Sequence, residues 1–541
     1  MERIAPPSLN YDNVLPLAIE SRSNRRTFVP VNGSSFSNTT GSTIIRIDVN
    51  ADSMLDPTHS YLTLDLCNDA PADANGVPQF LHPEIGPAMI QRMRIESGGV
   101  TIEDINEYGR LYTAMMLNQC PEDYVNNVCG SYNLYPQLND TTAQLTAAKD
   151  GAIPNHQISG NIAPHAADAA DVGGFVQGGL TEGCEIKYMP NISSVCAGLD
   201  ARGTVQVRGD GATLGLVDSQ LNVNGYAEMK KSGAIGLAGS KTITIPLLSG
   251  FLNQDKYIPL IMMNAGFTIE LHLAPVNAVG LTQSIATGIS GVSAGVPAAA
   301  HANGGLIDNV WSIKNVKYVA NLIDLDREFY GRLRSVMEES GGVLQLAGQT
   351  YRHYSAVVPL RAGEGTVSLP ARVKSIKSIF ATFITATHRN SNASYNTSVY
   401  HNAGLSAFRF EIGSVRYPQT DIKTGNGNRA ELVSELHKAF GKLGDYSHST
   451  CVRAKGLECI ERIRTNQVRD SGLAGFMLGY DFEAFQKVAL ESGINTADRS
   501  LPLNFVYNKD VATTGSHHAD FYVLSDAIYY INLDGTVSVS V

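Results

Sequence analysis

The sequence predicts an all-β protein made of two tandem antiparallel units, on three observations. Segments rich in Val, Ile, Thr and Tyr alternate with clusters of Gly, Asn, Asp and Pro along most of the chain, which is what pleated strands and tight turns require. Apolar residues recur at helical spacing in only a few short stretches. A strand, Gly turn, returning strand and helix occur once in each half: around RMRIESGGV (Arg92–Val100) and again around FRFEIGSVRYP (Phe408–Pro418). Identities between the two are few, but turn glycines and strand alternation are physical requirements that outlast identity.

Residues 1–40 read as an extended N-terminal arm, because Pro6, Pro7, Pro16 and Pro30 oppose helix and no period is evident. Ser42–Asn50 and Ser60–Asn68 are β-branched, partly alternating strands, with a turn expected at Asp56-Pro57. The hairpin about Gly98-Gly99 follows. Ile105, Tyr108, Leu111 and Met115 then recur at helical spacing. From about 121 to 239 periodicity is lost in Ala/Gly/Asp-rich sequence, which reads as a large loop insertion. Lys241–Leu248 and residues 257–274 restore strand character, and 276–305 reads as a second loop near the domain junction.

Val310–Leu325 predicts a strand leading into a helix with Phe329, Leu333, Val336 and Met337 on one face. In the second half, Leu344–Pro359, Gly365–Arg372, Val373–Thr385, Ala407–Tyr417, Phe476–Phe485, Ser500–Tyr507 and Phe521–Leu533 read as strands. Asn428–Leu443 reads as a helix with Leu432, Val433, Leu436 and Phe440 on one face, and with Asn428 and Glu431 as a capping pair. Many strands, long connections and one helix per unit suit two eight-stranded antiparallel jelly rolls, a double jelly roll. The expected division is the arm at 1–40, a first jelly roll at 41–308 carrying the insertion, and a second at 309–541.

At 541 residues with 43% hydrophobic content the chain can fill real cores. Charged residues make up 17%, against roughly 25% in typical soluble proteins, which suits a surface partly covered by neighbours. A net charge of −10 opposes general nucleic-acid coating, and no specific nucleic-acid binding is expected. Arg22, Arg25 and Arg26 form the local basic exception and read as a solvated or subunit-contacting arm in preference to a genome-binding one. No run approaches the ~18 apolar residues of a membrane span, and the start MERIAPPSLNYDNVLP lacks a signal-type apolar stretch, so synthesis in the cytosol is expected. Seven cysteines without a CxxC pair suggest reduced thiols rather than a disulfide or zinc framework.

Three segments carry a family resemblance: 34–66 (SSFSNTTGSTIIRIDVNADSMLDPTHSYLTLDL), 243–274 (ITIPLLSGFLNQDKYIPLIMMNAGFTIELHLA) and 314–333 (KNVKYVANLIDLDREFYGRL). They resemble the double-jelly-roll major capsid proteins of virophages, polinton-like viruses and large eukaryotic DNA viruses, a lineage shared with tectiviruses and adenovirus hexons. The three segments cover about a sixth of the chain directly. It implies a homotrimer forming a pseudo-hexagonal capsomer that tiles an icosahedral shell. The implied partners are neighbouring capsomers, penton and minor capsid or cement proteins, and an inner membrane beneath the N-terminal arm where one exists. It also implies a virion location after synthesis in the host cytoplasm. The competing reading is a receptor- or carbohydrate-binding β-sandwich such as a viral fibre or lectin.

The sequence presents no catalytic, cofactor-binding or metal-ligating set, and an enzyme is not expected. His517-His518 would point to opposite faces of a strand and reads as a solvated loop. His353, His388, His401, His437 and His448 have no metalloprotease spacing, and no Gly-x-Ser-x-Gly elbow occurs. Glu338-Glu339 and Asp324/Asp326 flank a helix and read as cap and solvated charges. Arg208-Gly209-Asp210 could serve a receptor but also arises by chance. Trp311 reads as a core anchor.

Overall fold

Alternation along the strands sets the architecture. In β1 (Ser21–Phe28), β2 (Ile44–Val49), β3 (Met54–Asn68), β4 (Ile90–Ser97), β5 (Val100–Asn106), β6 (Ser240–Ile245), β7 (Phe267–Leu273) and β8 (Trp311–Leu325), most inward positions are apolar where a sheet has a buried face. In β2 these are Ile45, Ile47 and Val49; in β7 they are Phe267, Ile269, Leu271 and Leu273. Helix α1 (Tyr108–Gln119) follows β5 and buries Tyr108, Leu111 and Met115, while α2 (Arg327–Glu339) follows β8. The second unit comprises β9 (Val343–Val358), β10 (Gly363–Leu369), β11 (Ile376–Thr385), β12 (Leu405–Ile412), β13 (Val415–Lys423), α3 (Ala430–Ala439), β14 (Met477–Asp481), β15 (Leu503–Lys509) and β16 (His517–Asn532). This computed structural model describes residues 20–38, 42–69, 79–83, 86–119, 239–254, 256–275, 280–284, 310–359, 361–386, 389, 397, 400, 402–424, 430–441, 476–484, 492–498, 502–509 and 516–541.

The strand order is the decisive observation. The first unit pairs β1-β8-β3-β6 in one sheet and β2-β7-β4-β5 in the other. The second pairs β9-β16-β11-β14 and β10-β15-β12-β13. Adding eight to each label of the first unit yields the second. Every one of these pairings is antiparallel, and each order is that of an eight-stranded jelly roll. The hairpins β4–β5 and β12–β13 are the two motifs matched in sequence, and each leads to a helix. Each also carries an equivalent ion pair twelve residues apart. Arg92 donates to both Asp104 oxygens at 2.7 and 2.6 Å, and Arg409 to both Asp421 oxygens at 3.3 and 3.1 Å.

Several boundaries move. Within the expected arm, Ser21–Phe28 is a strand paired with β8 along its full length, Ser21 opposite Leu325 and Phe28 opposite Tyr318. It is a sheet edge with nearly all side chains exposed, so it lacks the alternation that marks a half-buried strand. The domain junction expected at 308/309 falls after Leu325 instead, because Trp311–Leu325 pairs with β1 and β3 of the first unit. Asp56-Pro57 is no chain reversal but part of a bulge inside β3, where the register jumps from Tyr61↔Val319 to Asp56↔Asn321. There Thr58 Oγ1 donates to Asp56 Oδ1 at 2.9 Å and Ser60 Oγ to the Asp56 carbonyl at 2.7 Å, turn chemistry contained within a strand. The insertion 121–239 (apart from Gly239), the loop 276–305 (apart from Gly280–Ser284) and Asn428 lie outside the described residues.

Candidate functional site: the seam between the two sandwiches

The corner where β5 meets α1 carries Glu103, Glu107 and Arg110 against the second jelly roll. Glu107 takes the left-handed conformation at φ 50°, which closes the turn and starts α1 through its carbonyl, the acceptor for Arg110 and Leu111 N–H. Across the seam stand His353 of β9, Asp520 and Tyr522 of β16, and Arg389 and Tyr400. Asp520 is 1% exposed; His353 Nε2 lies 3.0 Å from its Oδ1, and Arg389 Nη1 reaches both its oxygens at 3.2 and 3.0 Å. Arg389 also meets Glu107 at 3.4 Å, and Arg110 Nε donates to Glu107 at 3.1 Å. Tyr400 Oη donates to the Arg110 carbonyl at 2.9 Å, and Tyr522 Oη to the Glu107 carbonyl at 3.2 Å.

Burial works to raise the Asp520 carboxyl, but the His353 hydrogen bond and the Arg110 and Arg389 charges outweigh it and hold it at about 2. Burial opposes the charge on Arg110, yet Asp520 and Glu107 raise its pKa on balance. The Tyr522 phenol, lifted far above its ordinary range by burial, stays a neutral donor.

A second cluster lies further along the same seam. Glu103 is 2% exposed on β5. It accepts hydrogen bonds from Ser249 Oγ, from Gly250 N–H at 3.0 Å, and across the seam from Thr350 Oγ1 at 3.2 Å. Burial raises its pKa, and those bonds only partly offset the rise. Gly250 comes so close to the second unit that a Cβ would sit 1.1 Å from the Gln349 carbonyl oxygen. Phe251 packs edge-on to Tyr529 at 5.2 Å, and Asn264 Nδ2 donates to the Asp534 carbonyl at 2.6 Å.

The seam ties the two units to each other. Its cations and carboxylates are engaged with each other across the two units, an arrangement that fixes relative geometry more than it adds stability. A cleft of about 100 Å3 opens beside Gln91, Glu107, Arg110, Pro275, Arg389 and Thr397, with room for about three waters. Among the described residues no group of three His, Cys, Asp or Glu is placed to hold a metal.

The residues weighed in sequence fall as follows. His517 is not in a solvated loop: it is fully buried at the start of β16, paired opposite Val358, because β16 is flanked on both edges by β9 and β11. Burial and then Arg389 lower the pKa of His518. His353 is a seam residue. Arg25 donates to Tyr61 Oη at 3.0 Å and Arg26 lies over Phe28 at 5.1 Å, on the exposed edge strand. Glu338 and Glu339 are exposed on α2, Asp326 precedes that helix, and Asp324 is paired opposite Arg22. Trp311 is 1% exposed, a core anchor at the start of β8. His437 lies on α3. His388, His401, His448 and Arg208-Gly209-Asp210 lie outside the described residues. The seam residues Glu103, Glu107, Arg110, Arg389 and Asp520 were missed. The available signal was an acid within apolar sequence, Glu103 in VTIEDI and Asp520 ahead of FYVL, since a charge there needs a partner.

Two jelly rolls in tandem, joined by a buried seam, make this a double-jelly-roll protein. No protein-family model matches the chain, and no curated protein matches it. Among solved structures it is similar to VP54 of PBCV-1, fitted into a cryo-EM reconstruction of the virophage Sputnik, at 9% identity over 98% of this chain and 99% of that chain with a TM-score of 0.49. It is similar to the Faustovirus major capsid protein at 8% identity, over 96% and 92%, TM-score 0.49. It is similar to the mavirus major capsid protein at 10% identity, over 100% and 95%, TM-score 0.45.

Proposed function

We propose that the chain is a viral major capsid protein, a structural subunit rather than an enzyme, that trimerises into a pseudo-hexagonal capsomer. The observation that carries this reading is the strand-for-strand repetition of one jelly roll within a single chain, fixed by the buried seam. Three copies of a body with two near-equivalent lobes present six near-equivalent lobes, which tile a surface as a hexagon does. Tiling requires the two lobes to keep one relation, and the Glu107–Arg389 ion pair with the Tyr400 and Tyr522 hydrogen bonds to the Arg110 and Glu107 carbonyls supports it.

In this reading the partners are neighbouring capsomers, penton and minor capsid or cement proteins, with the N-terminal arm at the base of the shell, facing an inner membrane where one exists. The location is the virion, after synthesis in the host cytoplasm. The test is the mass of the purified protein by light scattering, together with negative-stain images. A mass about three times the 58.0 kDa chain with hexagonal outlines is expected. A well-folded monomer at micromolar concentration, or slender fibre-like particles, would overturn it.

A further inference from the structure

Away from the seam, a lysine and two carboxylates meet inside the second jelly roll. Lys377 Nζ lies 2.9 Å from Glu483 Oε1 and 3.3 Å from Asp526 Oδ1, with the three side chains 9%, 10% and 4% exposed. Lys377 sits at the register shift between β11 and β16, where Ile376 pairs with Ser525 and Ser378 with Leu524. A bulge of this kind re-aims a side chain out of the regular ladder. The carboxyl it faces is held in place. Ser375 Oγ donates to Asp526 Oδ2 at 2.7 Å and accepts from Gly493 N–H at 3.0 Å, while Asp526 N–H donates to the Ser375 carbonyl at 3.1 Å. Glu483 is positioned likewise, by Ser492 Oγ at 2.8 Å.

We infer that Lys377 and Asp526 condense to an intramolecular amide that covalently joins β11 to β16, with Glu483 carrying the proton. Burial opposes the Lys377 charge, but Glu483 and Asp526 raise its pKa on balance, so the lysine rests as an ammonium. The ammonium passes one proton through Glu483 to Asp526 Oδ1, and the free amine attacks the carbon of the neutral carboxyl. Asp526 Oδ2, bonded to Ser375, bears the charge that develops on the tetrahedral intermediate and remains as the amide oxygen. Oδ1, already carrying the proton relayed by Glu483, takes a second from the nitrogen and leaves as water. An ammonium and a carboxylate become an amide and one water, and Glu483 is restored. No oxidant or other reactant is required. Fixed near-contact geometry in a buried site lowers the barrier to such a step, and exclusion of water slows its reversal.

The inference is independent of the capsid reading and is tested on the full chain under denaturing conditions. The intact mass of the wild type is expected to be lighter by one water than its sequence requires, with Lys377→Arg at its full sequence mass as the internal reference. A proteolytic digest should contain a branched peptide joining the Lys377 and Asp526 segments, absent from Lys377→Arg and Asp526→Ala and at least tenfold less abundant in Glu483→Gln. A wild-type mass equal to the sequence mass, with no branched peptide, would reduce the cluster to an ion pair and overturn the inference. Undiminished branched peptide in Glu483→Gln would overturn the role of Glu483. The wild-type mass and branched peptide carry the test without any variant having to fold, and the Glu483→Gln yield is compared only on material that melts cooperatively like the wild type.

Discussion

Replacing Gly250 by alanine tests the seam directly. The added Cβ would lie 1.1 Å from the Gln349 oxygen and 2.3 Å from its carbonyl carbon. Both are backbone atoms of β9, at the position paired with Asp526 of β16, so no flexible side chain can yield. Overpacking that a core can absorb costs roughly 1–3 kcal/mol. Moving the chain also separates Gly250 N–H from the buried Glu103 carboxyl, a further loss of about 1–3 kcal/mol. About 4 kcal/mol is therefore expected, a large share of the ~5–15 kcal/mol of a typical fold. The assay is equilibrium unfolding in urea, with Gly331→Ala as the control. Gly331 lies inside α2 with nothing within 4 Å of its would-be Cβ, and alanine there should stabilise by up to ~1 kcal/mol. If Gly250→Ala unfolds at the wild-type midpoint, the two jelly rolls do not meet as described.

Three further outcomes follow from the same structure. Asp520→Asn leaves Arg389, Arg110 and His353 without their shared anion and should cost about 3–5 kcal/mol at neutral pH. Because the folded pKa of Asp520 is about 2 against an ordinary 3.8, its stabilisation is complete above about 4 and lost as pH falls toward 2. The variant's acid limb, followed by thermal melts, should be flatter there by on the order of 2 kcal/mol. Glu103 has the opposite sign: its folded pKa is raised, so the stability it contributes is full at low pH and declines as pH rises through that pKa. Glu103→Gln keeps a neutral acceptor and should stay within ~1 kcal/mol of wild type in urea unfolding, whereas Glu103→Ala should lose ~3 kcal/mol or more. Arg409 faces Glu364, Glu411 and Asp421, while Arg92 is bidentate to the half-exposed Asp104. Arg409→Ala should therefore cost more than Arg92→Ala, the latter staying under ~1 kcal/mol in the same assay.

The sequence alone determined what short-range physics encodes. Strand alternation, turn glycines and helical spacing marked β2, β7, the β4–β5 and β12–β13 hairpins and α1 from their own residues, and the hairpins betrayed the duplication because both copies obey one local rule. Trp311 was legible as core because a large apolar side chain has one good place to go. What only the tertiary structure decided depended on neighbours distant in sequence. The edge strand β1 carries no buried face of its own and becomes a strand only by pairing with β8, some three hundred residues on. The partners of Asp520 and Glu103 lie on other elements or across the seam, so their sequence context shows isolated acids but not what neutralises them. The junction beyond Leu325 was likewise invisible, since a strand's sequence specifies its alternation and not the sheet whose hydrogen bonds it completes.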